Sequence, residues 1–98
     1  MEAGIVPLVP APVVAQASRS PEQAQMRRLL RGCDVVPFDE AAAYAAGALL
    51  GRARTTDVVD ASVAALAMRH DADVVSDDAA DIRRLVSAAR ATVAILDV

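Results

Sequence analysis

The chain is 98 residues long and carries ten arginines, no lysine and thirteen acids for a net charge of −3, which limits it to one small domain and denies it the broad positive field of a general nucleic-acid binder. Hydrophobic residues make up 55% of it but aromatic residues only 2%, so Ala and Val must do most of the packing and the core is thin for a lone monomer. A single cysteine, Cys33, excludes an intrachain disulfide and a multi-cysteine zinc site; the opening MEAGIVPLVPAPVV has an acid at Glu2, no basic start and three prolines, which predicts no signal peptide and no membrane span, so a cytoplasmic protein is expected.

The first predicted element is a strand over Ile5–Val9 ending at Pro10, with proline arguing for an edge position. Pro12 fits the first turn of a short helix that carries Gln16. Ser20-Pro21-Glu22-Gln23 reads as a cap, a proline in the first helical position and a glutamine three residues after the cap, so a second helix starts there. Met26, Leu29 and Leu30 supply its apolar face, and Gly32 ends it. Arg27, Arg28 and Arg31 gather at its carboxyl end, where cations complement the helix dipole, with RNA contact as the alternative reading.

Cys33 to Phe38 predicts a second strand around Val35-Val36, which the lack of alternation places as buried on both faces, as in parallel sheets. Asp39 caps the next helix, whose Gly47 costs about 1 kcal/mol of helix propensity unless close packing requires it. Thr55 or Thr56 caps a helix that begins at Asp57. Asp57 and Asp60 share one face of that helix. Asp57 has a sufficient structural explanation in the helix dipole, whereas Asp60 lies toward the side that the run Ala61–Met68 buries, making it a candidate metal ligand.

Met68 reads as core, and His70 as a helix-end residue. Asp73–Ser76 predicts a third strand with Asp77 and Asp78 at its carboxyl end. Asp78 is placed as the cap of a final helix, Asp81 completes a box-like pattern, and Arg83 and Arg84 point to solvent. Ile82, Leu85, Val86 and Ala89 form the buried stripe of that helix, and Thr92–Leu96 a closing, largely buried strand.

The resulting order, β-α-α-β-α-α-β-α-β, predicts an α/β fold with a parallel sheet and helices on both faces, and ligands gather at the carboxyl ends of such strands. Asp77 and Asp78 are placed there, and Asp60 can reach the same rim from a neighbouring helix. Grouped carboxylates suit a hard divalent cation such as magnesium.

ARTTDVVDASVAALA followed by VVSDDAADIRRL resembles the second half of a PIN domain, the ribonuclease fold of VapC-type toxins, and the resemblance extends upstream to VPAPVVAQA. It implies a three-layer α/β/α domain, read here as a single PIN-like domain over residues 1–98 whose first strand and its aspartate have no counterpart before Gly4. It also implies a metal-dependent endoribonuclease in which Asp60 and Asp78 hold Mg2+ or Mn2+ and carry catalysis. Ser76 and Asp77 occupy the threonine and serine positions of the family's threonine-serine-aspartate turn, and Gln16 stands where the family has a glutamate. Arg52 or Arg54 would steady an RNA phosphate. The implied partners are RNA, a cognate antitoxin and a second copy of the chain; the alternative is an inactive PIN remnant that works through protein contacts.

Overall fold

The structure, a computed structural model, describes residues 6–19, 24–76 and 78–97. Its elements run β1 (Leu8–Pro10), α1 (Ala11–Ala17), α2 (Ala24–Leu30), β2 (Asp34–Val36), α3 (Glu40–Ala53), α4 (Val58–His70), β3 (Val74–Ser76), α5 (Ala79–Ala88) and β4 (Ile95–Asp97). This is the order expected from sequence. The fold is α/β, with two small parallel sheets flanked by helices, consistent with a PIN-like α/β/α arrangement. The strands form two separate pairs rather than one continuous sheet. No helix among the described residues is long and apolar enough to cross a membrane.

The chain divides into two compact units, Met1–Phe38 and Asp39–Val98. In the first, β1 and β2 pair in parallel with Leu8 opposite Asp34 and Pro10 opposite Val36. Pro10 ends the strand and also precedes the first turn of α1, where Pro12 is tolerated because no intrahelical N–H is required. Val9 and Ala17 are buried, but Val35 is 51% exposed. The expectation of a doubly buried second strand is therefore corrected: a two-stranded sheet does not cover both faces of a valine pair. The expected cap at Ser20–Gln23, the strand start at Ile5 and the packing of Met26 and Leu29 lie outside the described residues.

The second unit is built on three helices that meet through alanine. Ala46, Ala61, Ala64 and Ala79 are essentially inaccessible, and the largest fully buried side chains are Ile82 and Leu85 of α5. Small side chains let helix backbones approach closely, so a core poor in aromatics still excludes water. Asp39 caps α3 by accepting a hydrogen bond from the Ala42 amide at 2.9 Å. α3 and α4 end on residues in the left-handed conformation, Arg54 (φ 56°) and Asp71 (φ 49°), and Arg90 (φ 56°) follows α5 in the same conformation. These close the helices without glycine. The Ala72 and Ala91 amides then donate back to the carbonyls of Ala67 and Val86.

Four further expectations are corrected here. Gly47 is not required by close packing, since a Cβ there would meet nothing within 4 Å. α4 begins after Asp57, which is itself the cap, rather than after a threonine. Arg83 does not simply extend into water, because its Nη2 donates to the Ile95 carbonyl at 3.2 Å and ties α5 to β4. Leu96 is 55% exposed, so the closing strand is not largely buried; its register partner Val75 is 65% exposed on the same face.

Two substitutions test this account of packing. Leu85→Ala should cost about 2–5 kcal/mol in urea denaturation, because it opens a cavity at one of the largest fully buried side chains. Gly47→Ala should add about 0.5–1 kcal/mol, because it improves helix propensity in open space.

Candidate functional site

α4 starts with a local device readable from its own residues. The Asp57 side chain accepts a hydrogen bond from the Asp60 amide at 3.0 Å and fixes the first turn. One helical step later the face turns inward, and Asp60 is only 4% exposed. Ser62, also buried, satisfies its hydroxyl by donating to the Val59 carbonyl at 2.6 Å. Asp60 has no such relief: its Oδ2 is buried without a hydrogen-bond partner. A buried carboxylate oxygen left unpaired is costly, and the group responds by holding its proton.

Burial is the largest cause that pushes Asp60 up from 3.8 to about 7; the charges of Asp57, Asp78 and Asp81 add to it, as does hydrogen bonding to the Asp57 side chain. Asp78 is thus within electrostatic reach of Asp60. It sits in the turn after β3, where its amide donates to Ser76 Oγ at 2.9 Å. Ser76 accordingly shapes the turn, and Asp78 is exposed. Asp78 occupies the cap position of α5, but its side chain makes no capping hydrogen bond, which corrects the expected cap: with φ −102° and ψ 35° the residue is not in the extended conformation that capping uses.

Asp81, assigned to a capping pattern from sequence, instead faces Arg84 across 3.7 Å on the surface and adds to the negative field at Asp60. Its spacing three residues from Asp78 was the available signal. Gln16 is exposed on α1, and Arg52 and Arg54 are exposed at the end of α3. Asp77 lies outside the described residues.

The fit to a divalent cation is incomplete. Asp60 Oδ2 is the kind of hard, unpartnered oxygen that magnesium or manganese accepts. Yet among the described residues no three His, Cys, Asp or Glu side chains stand close enough to hold one ion. Of the neighbouring acids, Asp57 is engaged as a cap and Asp81 is paired with Arg84.

Parallel strands joined through helices, with carboxylates after a strand end and in the first turn of an adjacent helix, define an α/β domain whose candidate site lies at the carboxyl rim of β3. The PIN domain family pattern matches residues 7–87, most of the chain, and the protein belongs to the PIN domain family. The match is to the PIN domain as a whole and does not single out the toxin branch. No curated protein matches the chain.

The site has a pH signature. Because the folded pKa of Asp60 lies above its ordinary value, the folded state binds this proton more tightly than the unfolded chain does. The favourable contribution is complete below about pH 3.8 and is lost as pH rises through about 7. Asp60→Asn should remove that dependence. Wild type minus variant stability, from urea melts at pH 4.5 and pH 8, should fall by on the order of 3 kcal/mol with rising pH; equal differences at both pH values would contradict the assignment.

Proposed function

We propose that this chain acts through protein–protein contact, as a PIN-family domain that does not by itself form a working ribonuclease centre. The observation that carries this reading is how the acids around Asp60 are used. Asp57 serves as a helix cap, Asp81 faces Arg84 in a surface ion pair, and burial with the charges of its neighbours pushes Asp60 up to about 7, which disfavours the charged form a cation needs. Gln16 brings no charge where the family's glutamate would. The exposed apolar side chains of Tyr44, Val75 and Leu96 are consistent with a domain that meets other proteins.

A second reading is favoured by one specific observation, the buried and unpartnered Oδ2 of Asp60. Under it the chain is a metal-dependent endoribonuclease of the toxin–antitoxin type, acting on RNA in the cytoplasm. Asp60 and Asp78 hold Mg2+ or Mn2+ through carboxylate oxygens, the donor type both ions take. A cognate antitoxin and a second copy of the chain are then its protein partners.

An RNA cleavage assay separates the two. The purified chain, given single-stranded RNA with Mg2+ or Mn2+, should cleave no faster than Asp60→Asn or Asp78→Asn. Metal-dependent cleavage that falls at least 100-fold in both variants would overturn the interaction reading and establish the nuclease.

A further inference from the structure

Away from the acidic rim, the second unit holds a groove of about 400 Å³. α3 lines it with Ala45, Ala48, Leu49 and Arg52, the spacing of one helix face, and α4 with Ala65, Met68 and Arg69. Leu49 is buried at its floor, while Ala65 and Met68 are half-buried in the wall. Asp39–Val98 contains ten of the chain's thirteen acids, yet none lines the groove. Arg52 and Arg69 are exposed, and among the described residues neither guanidinium has an ion-pair or hydrogen-bond partner.

We propose that this groove docks an amphipathic helix of a partner protein, its apolar face on the alanine walls and its carboxylates on Arg52 and Arg69. The inference rests on the interaction reading above and names the surface and the chemistry of the partner. Alanine walls admit a helix backbone closely, and a helix laid in an apolar groove is a common mode of recognition. Guanidinium groups select carboxylates through paired hydrogen bonds and give the contact its orientation. RNA is the poorer occupant, because phosphates would lie over an apolar floor with two cations. A second copy is poorer too. Of α3, α4 and α5, the strongly amphipathic helix is α5, which carries Asp81, and its apolar face, Ile82, Leu85 and Val86, is already buried.

The probe is a fluorescein-labelled helical peptide with a Leu/Ala face flanked by glutamates, beside the same peptide with glutamine at each glutamate. Fluorescence anisotropy with the full chain should show the glutamate peptide binding at least 10-fold more tightly, and its affinity should fall as salt rises. Arg52→Gln with Arg69→Gln should abolish the preference while circular dichroism stays unchanged and the urea melt stays cooperative. Ala48→Glu, an exposed groove residue, should weaken the glutamate peptide at least 10-fold without either arginine being altered. Equal binding of the two peptides, equal binding to the double variant, or no binding at millimolar peptide would each overturn the proposal. So would self-association or RNA binding that the double variant loses while the glutamate peptide does not compete for it. Metal-dependent cleavage by wild type would overturn the interaction reading alone, leaving the groove result to stand on its own.

Discussion

The constraint on which the second unit depends is the burial of one carboxyl group at the start of a helix made of alanine. Ala61 and Ala64 are fully inaccessible, so α4 cannot rotate away from its neighbours without exposing them. Asp60 precedes Ala61 and is carried inward with it. The Asp57 cap holds the turn in place, so the carboxyl cannot escape to solvent by fraying the helix end. The elevated pKa is the electrostatic cost of this steric arrangement, offset by packing of its neighbours rather than by any bond to Asp60 Oδ2.

The same constraint locates the rest of the rim. α4 ends at the left-handed Asp71, whose geometry lets the Ala72 amide return to the Ala67 carbonyl and sends the chain directly into β3. β3 then needs only three residues to deliver Ser76, whose hydroxyl bonds the Asp78 amide and turns the chain into α5. The position of Asp78 is thus set by backbone events at both ends of a short strand. Asp60 and Asp78 interact because a rigid helix and a short strand leave little freedom between them.

Much of this was legible in the sequence, because the informative signals were local. The Asp39 cap, the three-residue spacing from Asp57 to Asp60, and the Ile82–Leu85–Val86 stripe each act within one or two helical turns. The order of elements followed from them. What the sequence hid depends on partners distant in the chain. Whether Val35, Val75 and Leu96 are covered is a matter of what lies on a sheet face, not of alternation along a strand. The Arg83 contact with the Ile95 carbonyl joins segments that no periodicity connects. Helix ends at Arg54 and Asp71 carry no glycine, so their left-handed closure left no residue signature.

The charges of the unit divide into those that helix formation explains and those that it does not. Asp57 at the start of α4, and Arg52 and Arg69 in the last turns of α3 and α4, each complement a helix dipole, a role that fixes the helix end but not the direction of the side chain. Dipole complementation works at the solvent-exposed surface and requires neither burial nor a shared concavity. Asp60 departs from that explanation because it is buried, where its charge is least tolerated. Arg52 and Arg69 satisfy it, but it does not account for two helices bringing them to one groove whose lining contains no acid. Charge placements that helix formation does not account for are the ones that point to binding, and here they fall on separate features of the same unit.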